Sequence, residues 1–308
     1  MASVLQFRRQ PTESAKIGVV LFSTYALYLI YKYDHQFSVT TSILILLVVA
    51  LISAFFLFVA PISQPQAYHN FSDKRQFLCS CHAATVGFFL PPGTEMRRNS
   101  GFIIPHFGDV ISNIIIFVGG VFGLVLLHFD STEVGLEPAR EWQLHVCLPV
   151  FFSSTVAISA GSTYYHWNPN DSSLVWDRLP MTLAFVSIFC FMLEEYLPTM
   201  GIGQSLMPYL LMLGMCSVLY WRWMDDLRLY ALVQFLPLIV IAALLVCCQS
   251  RHGGTIQQAS ALVCYGLAKA SEERDYEIFS WTNKRISGHS LKHVLAGLAS
   301  ISIASMLL

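Results

Sequence analysis

"SAGSTYYHWNPNDSSLVWDRLPMT", residues 159–182, reads as the end of one helix, a turn and the start of another. The run before it, about 144–165, is apolar and long enough to cross a bilayer as a helix. "NPNDSS" is turn chemistry and ends that helix. A second apolar run, about 180–196, follows it, with Pro180 expected in a first helical turn and Asp177 close to the N-cap. The reversal brings Ser162, His166 and Asp177 to one membrane face. Ser162 and His166, four apart, also share a side of their helix.

The same pattern repeats along the chain. Five more apolar runs lie at about 110–128, 205–221, 229–248, 257–270 and 289–308, of which 257–270 is the shortest. Two others, Ile17–Tyr31 and Val39–Pro61, precede a polar stretch. Ile17–Tyr31 follows Arg8, Arg9 and Lys16, has no small-residue cleavage site, and reads as an uncleaved anchor rather than a signal peptide. The 308 residues are 55% hydrophobic and 12% charged, with a mean hydropathy of +0.57. A soluble chain carries about 25% charged residues. Backbone groups in lipid must be satisfied within the segment, so spans this apolar are helices. The fold expected is an all-α integral membrane protein: a seven-transmembrane helix bundle with one or two extra N-terminal hydrophobic helices. It divides into N-terminal anchors (1–62), a polar loop (63–108) and a seven-helix core (109–308). A net charge of −1 gives no sign of a nucleic-acid partner, and no obligate protein partner is evident.

Successive spans cross in opposite directions, so alternate ends share a face. One face collects Asp109, Asn113, Ser162, His166, Asp177, Asp225, Asp226, Glu272, Glu273, His289 and His293. The other carries ordinary loops such as "EYLPTMGIGQ". Ionisable residues at membrane depth are expensive and by default mark function. With both N-terminal runs counted as spans, all of the 18 Lys and Arg except Lys32, Arg140 and Arg251 fall on the polar face. The positive-inside rule then turns that face to the cytoplasm.

In "SGHSLKHVLAGLA", 287–299, His289 and His293 stand one helical turn apart. With His166 they make three imidazoles on one face, the ligand set of a catalytic zinc site with an open fourth position. Such an ion activates water near neutral pH. Asp177 is placed to exchange the proton, and Ser162 to hydrogen-bond a carbonyl oxygen as it gains charge. The chemistry is hydrolysis of a lipid amide or ester. Plainer readings stand beside it: an interfacial histidine pair, a packing serine, an Asp177 that only caps a helix and pairs with Arg178. Cys79-Ser-Cys81-His82 is a second metal candidate, without the usual C-x₂-C spacing. Lys292 is expected to snorkel toward cytoplasmic headgroups rather than take part in chemistry.

Ser162-x₃-His166, then Asp177, then His289-x₃-His293 resembles the alkaline ceramidase family of the CREST superfamily of seven-helix membrane hydrolases and receptors. "YYHWNPNDSSLVWDRLPMT", "SGHSLKHVLAGLA", "SNIIIFVGG", "YWRWMDDLRLYALVQFLP" and "YGLAKASEERD" are similar to its alkaline phytoceramidase-type members. The resemblance covers roughly 60–308. It implies a zinc-dependent amidase that cleaves ceramide or phytoceramide to a sphingoid base and a fatty acid in ER or Golgi membranes. It also implies zinc on His166, His289 and His293, with Ser162 and Asp177 as catalytic partners. Two departures stand out. About twenty residues, "CHAATVGFFLPPGTEMRRNSGF" (roughly 82–103), separate "NFSDKRQFLCS" from "IPHFGDVISN", which relatives join almost directly. His106 stands where an acid of a calcium cluster is expected in some relatives, so no calcium site is carried over. A receptor-like member of the superfamily, of progestin and adipoQ receptor type, and an ester hydrolase remodelling GPI-anchor lipids remain as alternatives.

Overall fold

The computed structural model describes residues 59–79, 102–130, 142–197 and 201–308. The first N-terminal run, most of the second, most of the 82–103 stretch, and Cys81 with His82 lie outside them. Strands β1 (Phe77–Cys79) and β2 (Phe102–Ile104) pair antiparallel, Phe77 opposite Ile104. The pairing holds the two flanks, residues 77–79 and 102–104, side by side.

The rest is helical. A short α1 (Phe107–Ile111) leads into α2 (Asn113–Asp130). A π-helical turn, Gln143–Cys147, leads into α3 (Leu148–Trp167). Then come α4 (Asp171–Tyr196), α5 (Ile202–Met224), α6 (Arg228–Cys247), α7 (Thr255–Glu273), the short α8 (Asp275–Trp281) and α9 (Gly288–Ala304). A helix thus covers each of the seven expected core runs. Five of them, Phe107–Phe129, α4, α5, α6 and Gly288–Leu307, are long and apolar enough to cross a membrane, the mark of a membrane protein. The other two, α3 and α7, are of similar length. They carry more polar side chains: Ser153, Ser154, Thr155, Ser159 and Ser162 on α3, and Gln257, Gln258 and Lys269 on α7.

The α3–α4 turn corrects one expectation. The helix starts at Asp171, not beside Asp177, because Asn170 Oδ1 accepts from the backbone N–H groups of Ser172 (2.9 Å) and Ser173 (3.0 Å). The Ser173 hydroxyl completes a capping box by accepting from Asn170 N–H. Asp177 therefore sits in the second turn and Pro180 lies inside the helix.

The packing order is a ring. α3 lies against α2 and α4, α9 against α2 and α7, while α5 and α6 pack on α4 and on each other. The α6–α7 seam is the thinnest contact between neighbours around it. Apolar residues of α3, α4, α6, α7 and α9 fill most of the interior.

Residues 62–79 form a strap across the polar ends of the helices. Gln64 N–H donates to Asp225 Oδ1 (3.0 Å) and Ile62 N–H to Asp226 Oδ1 (3.3 Å). His69 bonds Tyr165 Oη (2.9 Å) and Asp171 Oδ1 (3.0 Å), Tyr68 Oη donates to Glu272 Oε1 (3.0 Å), and Ser72 N–H donates to Asp275 Oδ2 (2.8 Å). Several acids of the polar face hold this strap in place. Asp73, fully buried, takes the Arg75 guanidinium and Gly108 N–H. Burial pushes its carboxyl up, but the Arg75 hydrogen bonds outweigh that and hold it below the ordinary carboxylate range.

Candidate metal centre and lipid cavity

His166, at the end of α3, meets His289 and His293 on the first two turns of α9. The ring centroids lie 4.6 Å (His166–His289), 5.0 Å (His166–His293) and 5.0 Å (His289–His293) apart. One ligand nitrogen from each lies within 4.8 Å of the others, and all three residues are buried. Neither nitrogen of His166 has a hydrogen-bond partner among the described residues. A buried imidazole left so is costly unless something else takes its lone pair. Tetrahedral zinc with bonds of 2.0–2.1 Å holds its nitrogens about 3.4 Å apart, inside the 4.8 Å that encloses these three. The three side chains fit a metal ion.

Local structure fixes this geometry. Ser287 caps α9, its hydroxyl accepting from Ser290 N–H (2.8 Å). Asp275 Oδ1 accepts from His289 N–H (2.8 Å), satisfying another first-turn donor. Asp109 Oδ1 takes the hydroxyls of Ser287 (2.6 Å) and Ser290 (2.7 Å). A Cβ on Gly288 would run into the Ser271 carbonyl oxygen at the end of α7 and lie 2.6 Å from Asp275 Cα. Only glycine lets α9 start that close. Each histidine of the pair is thus held from the backbone outward.

The surroundings of His293 set its tautomer. Ser112 Oγ donates to the Asp109 carbonyl (3.2 Å) and lies 2.8 Å from His293 Nδ1. For Nε2 to face a metal the ring proton must sit on Nδ1, and Ser112, its own proton directed to Asp109, is placed to accept it. Nε2 then keeps its lone pair, 3.4 Å from Ser162 Oγ. An orienting hydrogen bond on the far ring nitrogen is what metal-bound imidazoles carry.

α3 and α4 touch at Gly161, which places Ser162 and Asp177 beside the same cavity. A Cβ on Gly161 would overlap the Trp176 carbonyl oxygen and lie 3.1 Å from Asp177 N. Both residues are buried and both line a cavity of about 340 Å³. Arg178 forms no ion pair with Asp177 among the described residues: it bonds Gln64 Oε1 (2.8 Å) and stacks over Trp221.

The cavity also receives His293, Lys292, Lys269 and Glu272 at its polar end. Lys292 does not snorkel outward. Its Nζ donates to Glu272 Oε1 (2.7 Å) and lies 3.1 Å from His289 Nε2. Glu272 binds Lys269 as well. A carboxylate on the facing helix draws the ammonium in, which α9 taken alone does not reveal. From the polar end the lining turns apolar: Phe151, Ile158, Met192, Ile241, Leu262 and Ile303. On α7 it extends from Glu272 to Gln258, about 21 Å at 1.5 Å per residue, a depth suited to a long acyl chain.

The strap closes the polar end. The Phe71 ring lies 4.5 Å from His166 and 4.8 Å from His289, centroid to centroid. Not all of the polar-face acids reach the site. Asp225 and Asp226 hold the strap, Asp226 also pairs with Arg228 (2.6 Å), and Glu273 is exposed. Ser112, Phe71, Tyr68 and Lys269 belong to the site or its cover without having been singled out in the sequence. The signals present were Ser112 at the mouth of an apolar run and Lys269 with Glu272 one turn apart on a weak one.

Comparison with family models, with curated proteins and with solved structures gives no match to this chain.

Proposed function

We propose that the chain is a zinc-dependent intramembrane hydrolase that cleaves the amide bond of ceramide-type lipids, releasing a sphingoid base and a fatty acid. The observation that carries this reading is the buried histidine trio, with both His166 nitrogens unpartnered, opening beside Ser162 onto a largely apolar cavity. Three imidazoles without sulfur suit zinc, which supplies a Lewis acid for attack by water on a carbonyl. The chain's own residues do the rest. The apolar cavity holds an acyl chain in line with the polar end and excludes bulk water. Ser162 Oγ, 3.4 Å from His293 Nε2, donates a hydrogen bond to the carbonyl oxygen as it gains charge. Asp177 takes a proton from the attacking water and returns one to the leaving nitrogen. The strap shuts the aqueous side, and the thin α6–α7 seam offers a lateral way in for a lipid.

In the same reading α3 and α7 cross the membrane with the five more apolar helices, making seven, and the strap face looks to the cytoplasm of an ER or Golgi membrane. The resemblance to alkaline ceramidases selects an amide over an ester. Purified protein given a fluorescent ceramide in mixed micelles tests this: it is expected to release fatty acid, to stop with a chelator, and to recover with zinc. Release of fatty acid from a GPI or glycerophospholipid ester but not from ceramide would overturn the amidase assignment. No hydrolysis of either by zinc-loaded protein would overturn the enzyme.

A further inference from the structure

Arg178 is an odd cation. It is 6% exposed, Nη2 donates to the neutral Gln64 amide (2.8 Å), and Nη1 has no hydrogen-bond partner among the described residues. Its guanidinium lies 4.1 Å from the Trp221 ring centroid, 4.8 Å from that of Tyr230 and 5.7 Å from that of Tyr68. Glu272 is committed to Lys269, Lys292 and Tyr68 and Asp226 to Arg228, while Asp177, on the same cavity wall, makes no ion pair with Arg178 among the described residues. At the polar end of the cavity Arg178, Lys269 and Lys292 face Asp177 and Glu272, so one positive charge is in excess. Burying a cation without a counter-ion is expensive, and aromatic faces offset only part of it. A second unused donor stands beside it. Among the described residues Tyr230 Oη reaches only Met181 Sδ, at 3.9 Å, a weak acceptor. Both Arg178 and Tyr230 line the cavity, on its strap side, where the headgroup of a lipid lying in the cavity would be.

We propose that Arg178 and Tyr230 form a subsite for a phosphate-bearing headgroup on the lipid. This rests on the lipid-hydrolase reading and extends its substrate class to ceramide-type amide lipids whose amine half carries a phosphate. A guanidinium offers paired N–H donors suited to phosphate oxygens, and the phosphate supplies the missing negative charge. Gln64 is the counterpart. A carboxylate at that position would satisfy Arg178 from within and close the subsite.

The test is binding to the full-length protein in zwitterionic nanodiscs, with hexadecyl phosphate, hexadecanol and inorganic phosphate as probes. Hexadecyl phosphate is expected to bind about tenfold or more tightly than hexadecanol, the scale of one hydrogen bond to a charged group. Inorganic phosphate is expected to bind far more weakly. Gln64→Glu and Arg178→Met are each expected to erase the preference for hexadecyl phosphate and to leave hexadecanol binding unchanged. If Arg178→Met does not fold, Gln64→Glu carries the test alone, with its thermal midpoint expected at or above wild type. Equal binding of hexadecyl phosphate and hexadecanol by the wild type overturns the subsite, as does a preference that survives Gln64→Glu. Inorganic phosphate binding as well as the lipid would overturn the headgroup assignment. None of the probes contains an amide, so the outcome is separate from turnover. An inactive protein that keeps an Arg178-dependent preference sinks the hydrolase and not the subsite.

Discussion

Replacing Ser112 with alanine removes one oxygen that touches no substrate. Its effect should nevertheless fall on the metal. The hydroxyl donates to the Asp109 carbonyl and receives His293 Nδ1–H at 2.8 Å, in a site where both residues are buried. Without it the Nδ1–H is left unsatisfied, at a cost of about 1–3 kcal/mol. The imidazole is also free to turn or to change tautomer. Loss of an orienting partner typically lowers metal affinity about 10- to 100-fold, or roughly 1.4–2.7 kcal/mol. Zinc dissociation constants measured by competition with a chromophoric chelator are expected to rise by that factor in Ser112→Ala. Ser112→Thr, which keeps the hydroxyl, should stay near wild type. An unchanged zinc affinity in Ser112→Ala would refute the assignment of Nε2 as the ligand atom of His293.

Three further outcomes follow from the packing and the strap. Gly161→Ala forces α3 away from the Trp176 carbonyl and should cost about 1–3 kcal/mol of stability, with hydrolysis falling more steeply than zinc content because Ser162 and Asp177 separate; melting curves and turnover on one preparation check it. Leu262→Trp, projecting into the apolar reach of the cavity, should slow hydrolysis of long-chain amides while sparing short-chain ones; an equal effect on both contradicts that placement of the chain. The Asp73 carboxyl is depressed in the folded protein, so its contribution is present above its unfolded value of about 3.9 and is lost as pH falls through the lower folded value. Thermal stability followed from pH 6 down to pH 3 should therefore drop below about pH 4, and Asp73→Asn should flatten that limb.

Much of the helix layout and the histidine trio can be read from the sequence, and the reason is local. Ser162 with His166, and His289 with His293, are one turn apart, so helical geometry alone aligns each pair. Parity then brings the pairs to one face. What could not be read depends on segments far apart in the chain. Lys292 turns inward because Glu272 on α7 faces it. The strap runs over the site because acids from several helix ends, Asp171, Asp225 and Asp275 among them, accept its polar groups. The start of α4 differs from the sequence expectation for a subtler reason. Pro180 is a good first-turn residue, yet Asn170 and Ser173 form a complete capping box before it, and the helix runs through the proline. The plainer alternative, an Asp177–Arg178 pair, rests on adjacency; side chains next to each other on a helix point about 100° apart, and Arg178 points to Trp221.

X-ray absorption at the zinc K-edge of the purified full-length protein is the most direct measurement of the proposed centre. Three imidazole nitrogens and one further light ligand at about 2.0–2.1 Å are the expected first shell, and His166→Ala should abolish the bound zinc. A sulfur scatterer at about 2.3 Å, which would move the metal to the cysteines near residues 79–81, or zinc retained in His166→Ala, would contradict a metal centre built on His166, His289 and His293.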